Sequence, residues 1–366
     1  MSDRRNWIKQ VSLGAVGIGL GQFESFANPF TEYHGADQEK LPILLRSNEN
    51  AYGPSPKARL AMTKNINASN RYGWKISAAL IAALAKKNKV KEDAILLGAG
   101  STELLDLVLQ HAALQPGTIL LAETTYDYWT SPSEKLGLKK ITVPLTTDKK
   151  NNLPAMLAAI KADTRLIYLC NPNNPTGTIC DRGDLVSFIK EVTQKRILMI
   201  DEAYLDFTTQ LSVSSLTNEN KNLIVIKTFS KMHGLAGARV GYAIAYPETI
   251  NALSELKSSP NGSSSVVSTA GALASIEDES FGKQVYVLNE QVKKYTMEQL
   301  KRLNIVCVPS HANFLYFSLA TYKKDFFRQL DKSNIQGTRI YEENGKWTRI
   351  TIGTMKEMET FINAIK

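Results

Sequence analysis

The chain has 366 residues, 43% hydrophobic and 22% charged, which suits one large domain with a smaller companion and excludes a disordered or fibrous protein. A formal net charge of +9 raises nucleic acid as a partner, but the lysines fall in scattered pairs such as Lys86-Lys87 and Lys139-Lys140. A solvated basic surface is therefore expected, and no nucleic-acid groove. Cys170, Cys180 and Cys307 have no metal-ligand spacing and cannot all pair within one chain, so they read as buried thiols and no metal is expected.

The N-terminus carries Arg4-Arg5, then a glycine-diluted apolar run from Val11 to Leu20, then Ser25-Phe26-Ala27 with small residues at the positions a signal peptidase favours. That order is that of a twin-arginine export signal over residues 1–27. The run is too short for a mature membrane anchor, so a periplasmic protein without a stable anchor is expected. An extension on a cytoplasmic protein is the alternative. Residues 1–27 take no part in the fold reading.

From about Leu41 short β-branched runs alternate with helical patterns. Strands are predicted at Ala94–Leu97, Thr118–Ala122, Lys140–Pro144, Leu166–Cys170, Ile197–Ile200, Leu223–Ile226 and Arg239–Ala245. Between them lie apolar residues at helical spacing, such as Leu104, Leu105, Val108 and Leu109. The alternation predicts an α/β fold, a mostly parallel sheet with helices on both faces. After about Ser263 the character changes. A long helix is predicted over Gln284–Leu303, then strands at Ile305–Val308, Phe314–Phe317, Arg339–Tyr341 and Thr348–Ile352, with Glu342–Gly345 as a turn. The expected domains are a large one over 68–258 and a smaller α+β one over 263–366, the latter joined by the early segment 41–67. The stretch Ser258–Ser265 is either a linker or a border of the active site.

Parallel sheets bind ligands at the carboxyl ends of their strands, so the residues that follow each strand are the ones to read. After the first comes Gly98-Ala99-Gly100-Ser101-Thr102, a turn into a helix whose free amides suit a phosphate, although a lone Gly-x-Gly is weak evidence. After Cys170 comes Asn171-Pro172-Asn173-Asn174-Pro175-Thr176-Gly177, a rigid turn that orients Asn174. After Ile200 comes Asp201-Glu202-Ala203-Tyr204, where an acid either caps a helix, pairs a buried arginine or holds a proton on a heterocyclic nitrogen. After Ile226 come Thr228-Phe229-Ser230-Lys231 and Gly234 to Gly241. A lysine in such apolar, glycine-rich sequence is desolvated, which lowers its pKa and makes it a usable nucleophile.

Taken in order, these motifs resemble the fold-type I pyridoxal-phosphate aminotransferases. Within that superfamily the chain is most similar to the histidinol-phosphate aminotransferases, through Asn48-Glu49-Asn50-Ala51-Tyr52-Gly53-Pro54, Asn70-Arg71-Tyr72 and Arg349-Ile350-Thr351-Ile352-Gly353-Thr354. The resemblance runs from about residue 43 to the C-terminus. It implies pyridoxal 5'-phosphate as cofactor, with Lys231 holding it and moving protons, and Asp201 on the protonated ring nitrogen. It places Asn174 and Tyr204 on the phenolic oxygen, and Ser101, Thr102, Thr228, Ser230 and Arg239 around the phosphate. Trp129 stands where the family stacks a tyrosine. Tyr72 would reach the phosphate bound by a neighbouring subunit, so a homodimer is implied. Arg349 would bind the substrate's anionic group, with Asn50 and Tyr52 beside it. Donor and acceptor would be an L-amino acid or amino alcohol phosphate and a 2-oxo acid. A decarboxylase or lyase with the same cofactor is the alternative, and a non-catalytic binding module a remoter one. Tyr33, His34, Tyr52, His233 and Asn261 are candidates for the side-chain pocket.

The chain departs from the pattern where Asn50-Ala51-Tyr52 lacks the usual proline, where Thr124-Thr125-Tyr126 lacks one before Thr-Tyr, and where Ser101-Thr102 replaces an acidic phosphate loop. No catalytic group is lost by these changes, which bear on the substrate.

Overall fold

The computed structural model describes residues 41–259 and 264–366. The expected export segment 1–27 lies outside them, as do Tyr33, His34 and Asn261. Among the described residues no helix is long and apolar enough to cross a membrane.

After a short strand β1 (Ile43–Leu44), seven strands form the main sheet: β2 (Ile95–Gly98), β3 (Gly117–Ala122), β4 (Leu138–Val143), β5 (Thr164–Cys170), β6 (Ile197–Asp201), β7 (Leu223–Thr228) and β8 (Gly241–Ala245). Their order is β2-β8-β7-β6-β5-β3-β4. Strands β3 to β7 run parallel, while β8 runs antiparallel to both of its neighbours. Apart from the edge strand β4, whose Lys139, Lys140 and Thr142 are exposed, the sheet is buried on both faces, and alternate residues therefore enter different cores. Leu97, Ile167, Leu169 and Ile200 join one with the helices Trp74–Asn88 and Arg182–Val192. Leu96, Leu166, Tyr168 and Met199 join the other with the helix Ser101–Ala112. Helix 182–192 illustrates the local logic: Asp181 accepts from the amides of Gly183 and Asp184, and Leu185, Phe188, Ile189 and Val192 form one buried stripe.

The C-terminal part holds β9 (Cys307–Val308), β10 (Phe314–Ser318), β11 (Ile335–Gln336), β12 (Ile340–Glu342) and β13 (Trp347–Thr351). Four of these form a sheet ordered β12-β13-β10-β9, and β11 pairs with β1. Leu45, Leu315, Phe317, Ile350 and Phe361 anchor a third core there. Leu45 thus ties the early segment to the smaller sheet, whereas the helix Pro56–Lys64 packs against the helix Val266–Ile276. That second helix, read from sequence as part of the C-terminal domain, puts Ala272 into the main sheet's core. An apolar stripe shows that a helix is packed, not which core receives it.

Candidate active site

A cavity of about 510 Å³ lies at the carboxyl edge of the main sheet, with β12 and β13 supplying its other wall. Because β2 and β7 are each antiparallel to β8, the end of β2 and the start of β8 meet at this edge, with Gly98 opposite Gly241. Gly100 sits at φ +83°, and a Cβ there would lie 2.2 Å from Arg239 Nη2, so glycine is required. The first-turn amides of helix 101–112 take no side-chain cap. Ser101, Thr102, Thr228, Ser230 and Arg239 all line the cavity beside them. Thr228 and Ser230 share a 3.0 Å hydroxyl hydrogen bond. Arg239 has a left-handed φ of 56°, and its Nη2 reaches the carbonyl of Ala99. That conformation explains why β8 begins at Gly241, later than the sequence pattern suggested. The result is a cluster of donors at a helix N-terminus, the arrangement that receives a phosphate.

Across the cavity floor lie Lys231 and Asp201. Lys231 follows β7 and donates to the carbonyl of Ser47 at 3.0 Å. Burial, and then the Arg349 guanidinium, bring its amine down to about 8. Asp201 ends β6, deeply buried, and burial pushes its carboxyl up to about 6. It accepts from the amide of Ala203 at 3.0 Å and from the hydroxyl of Tyr168 at 3.1 Å.

Asn174 and Tyr204 complete the floor. The Tyr204 hydroxyl accepts from Asn174 Nδ2 at 3.3 Å and from Asn48 Nδ2 at 3.0 Å, and burial raises its pKa. Both prolyl bonds of the Asn171–Pro175 turn are cis. Arg349, buried on β13, donates from Nη1 to Asn174 Oδ1 and from Nη2 to the carbonyl of Arg46. Its Nε is buried with no partner among the described residues, a guanidinium edge not fully used by the protein.

Trp129, Asn50, Tyr52 and His233, expected at the site or its pocket, lie elsewhere. Trp129 is not the cavity's aromatic face: it is buried in the core behind the sheet, edge-on to Tyr168 at 4.9 Å. The loop after β3 brings two other aromatic rings to the cavity, Tyr126 and the more exposed Tyr128, which lies against the Arg339 guanidinium. Thr125 Oγ1 donates to Asn173 Oδ1 at 2.7 Å, and Asn173 Nδ2 to the carbonyl of Thr124, so this loop is fastened to the one bearing Asn174. Burial and the Asp201 charge raise the pKa of Tyr126. Asn50 and Tyr52 do not line the cavity. The Asn50 amide is engaged by the carbonyl of Met232 at 2.8 Å, and from that segment Arg46 to Glu49 line it instead. Tyr72 is 81% exposed and stacks on Trp74, outside its own chain's cavity. His233 packs against Phe229, away from the cavity, and burial lowers it to about 4.

Tyr126 was findable by the strand-end rule, since it follows β3 by four residues. Tyr168, which holds Asp201, carries no local signal, because it sits mid-strand and only the β5–β6 register brings it there. Tyr126→Leu is expected to weaken cofactor binding about ten-fold, whereas Trp129→Phe keeps it near wild type. Titration of the cofactor against each cofactor-free variant measures both.

A family model described as aminotransferase class I and II matches residues 41–365. A histidinol-phosphate aminotransferase of Moorella thermoacetica is 35% identical over 330 residues, covering 88% of this chain and 84% of the relative. An aromatic amino acid aminotransferase of Mycolicibacterium smegmatis is 34% identical over 326 residues, covering 88% of both chains. The crystal structure of a histidinol-phosphate aminotransferase from Sinorhizobium meliloti in complex with pyridoxal-5'-phosphate matches in fold, with a TM-score of 0.82. Its sequence is 23% identical, and the match covers 95% of this chain and 98% of that one.

Proposed function

Because the chain belongs to the class I and II aminotransferases, we propose that it is a pyridoxal-phosphate enzyme moving an amino group between an amine bearing an anionic group and a 2-oxo acid. The observation that carries this reading is the pairing, in one cavity, of an amine lowered to about 8 with a buried carboxylate, beside a phosphate-type cradle. The residues fit the cofactor. When bound, pyridoxal phosphate supplies a carbonyl that condenses with amines and a cationic ring that withdraws electrons.

Each side chain then has a task. Lys231, largely unprotonated at mildly alkaline pH, would hold the cofactor and carry a proton to and from the substrate carbon. Asp201 would hold a proton on the ring nitrogen, and that cation would in turn offset the cost of burying the carboxylate. Asn174 and Tyr204 would donate to the phenolic oxygen, and Tyr126, which lines the same cavity, would pack beside the ring. The hydroxyls of Ser101, Thr102, Thr228 and Ser230, with Arg239, bind the phosphate. Arg349 exchanges Asn174 for the substrate's anion, bidentate where that anion is a carboxylate.

The relatives' names point to two donor classes, histidinol phosphate and aromatic amino acids. Purified enzyme should be offered histidinol phosphate and L-amino acids singly, without an acceptor, while the bound cofactor's absorbance is followed. Conversion of the cofactor to its amine form assigns the donor. Loss of carbon dioxide with the amino group kept on the product would instead mean a decarboxylase and overturn the reading.

The working unit is a homodimer in which Tyr72 serves the neighbouring subunit's phosphate. Support comes from the exposed apolar group of Tyr72, Trp74, Leu60 and Ile66 on the same stretch of chain. Monomeric mass in light scattering of active enzyme would overturn this. Residues 1–27 act as a twin-arginine signal, supported by Arg4-Arg5, the apolar run and Ser25-Phe26-Ala27. An exported enzyme meets free amino acids, which favours them as donors over a biosynthetic phosphate. Periplasmic protein beginning at Asn28, lost when Arg4 and Arg5 are both changed to lysine, is the expected result.

A further inference from the structure

Arg349 and Asn174 are one link between the loop after β5 and the smaller sheet, and a second link lies behind it, outside the cavity's lining. Lys149 stands in the turn Thr146–Lys150 after β4, at a left-handed φ of 64°. Its carbonyl accepts from Thr178 Oγ1 at 2.7 Å, and the carbonyl of Thr178 accepts from the amide of Asn173. The Lys149 backbone is thereby fixed to the loop that presents Asn174. Its ammonium reaches the other way, 2.6 Å from Glu342 Oε2 on β12, and lies 4.8 Å from the centre of the Trp347 ring on β13. Glu342 uses its other oxygen as well, accepting from the Tyr316 hydroxyl at 2.6 Å. Tyr316 stacks on Trp347 at 5.2 Å and stands directly across from Arg349 in the β10–β13 register.

We infer that Lys149 and Glu342 form a strut that positions Arg349 and Tyr341 for substrate. The inference rests on the aminotransferase reading above. An incoming anion competes with Asn174 for Arg349, so the link inside the cavity is given up when substrate binds. The Lys149–Glu342 pair is untouched by that exchange and keeps β12 and β13 in register with the loop. Tyr341, one residue before Glu342, has its ring 5.5 Å from the Arg349 guanidinium and 5.2 Å from that of Arg339. A shift of β12 therefore moves the wall of the substrate pocket without moving Lys231 or Asp201. The pair is only about one-fifth exposed on each side. It is therefore less screened than a surface ion pair, and the Glu342 carboxylate has both oxygens engaged.

The test is a double-mutant cycle on full-length, cofactor-loaded enzyme with Lys149→Met and Glu342→Gln. Each single variant should raise the dissociation constant for the amino donor roughly ten-fold, leaving cofactor affinity and the limiting half-reaction rate within about two-fold. The double variant should be no worse than either single, and Lys149→Arg should restore tight donor binding. Amide hydrogen exchange over residues 340–349 should quicken in both singles, a readout that needs no turnover. Wild-type donor binding and exchange in both singles, or losses that multiply in the double, overturn the strut. If Lys149→Met fails to fold, Glu342→Gln against Lys149→Arg carries the same comparison. Wild-type enzyme that binds cofactor but converts no donor overturns the aminotransferase reading instead, and the strut is then judged on exchange alone.

Discussion

Lys231→Ala protein is expected to lose turnover by at least about 10³-fold and to keep its fold. The size follows from the residue having two tasks: holding the cofactor and carrying the proton. The fold should survive because the Lys231 side chain makes one hydrogen bond, to the carbonyl of Ser47, and belongs to none of the apolar cores. Wild-type protein adds a pH signature. Its amine titrates near 8 through burial and the Arg349 charge. Below that pH the nucleophilic free amine falls about ten-fold per unit, so capture of added cofactor should slow in the same proportion. The alanine variant should bind cofactor weakly and show no such pH dependence. Turnover at the wild-type rate would overturn the role given to Lys231.

Asp201→Asn should cost about 10²- to 10³-fold in the half-reaction, the scale of losing one preorganised electrostatic partner. Its effect on stability should have the opposite sign. In cofactor-free protein the Asp201 carboxyl is raised by burial from an ordinary value of 3.8 to about 6. The folded state therefore binds this proton more tightly than the unfolded chain does. The stability from that proton is present below about pH 4 and is lost as pH rises through 6, on the order of 2–3 kcal/mol. Asparagine carries no such charge, so cofactor-free Asp201→Asn should melt higher than wild type at pH 7, with the gap closing towards pH 4. Loading the cofactor should reverse the order at pH 7, because a cationic ring nitrogen repays the buried carboxylate. Melting curves at the two pH values, with and without cofactor, test the sign directly.

The strands of the main sheet were legible because burial on both faces leaves continuous apolar runs, as in Leu166–Cys170 and Leu223–Ile226. Direction was not, since an apolar run reads alike in either sense, and the antiparallel setting of β8 emerges only from its pairing with β2 and β7. At the site, the groups that end strands were legible: Asp201, Asn174, Ser101 and Lys231 sit where an α/β sheet puts ligands. What failed was side-chain direction within loops. Trp129 carries the larger ring, but three residues beyond Tyr126 the chain has turned back into a core. Asn50 lies two residues beyond Asn48, yet its amide turns to Met232 while that of Asn48 reaches Tyr204. Spacing in sequence does not decide between the two asparagines, because their partners lie 182 and 156 positions away.

The early segment carries that separation furthest. Ile43 pairs with Ile335, the amide of Asn48 donates to Thr351 Oγ1 across 303 positions, and Asn313 donates to the carbonyl of Asn48. During synthesis at 5–20 residues per second, the wait between the two ends is roughly 15–60 s. Throughout it the main sheet can form, but the wall bearing Arg349 cannot. A nascent chain therefore lacks the Arg349 wall until Thr351 is free to meet Asn48, and the cavity cannot be completed before then.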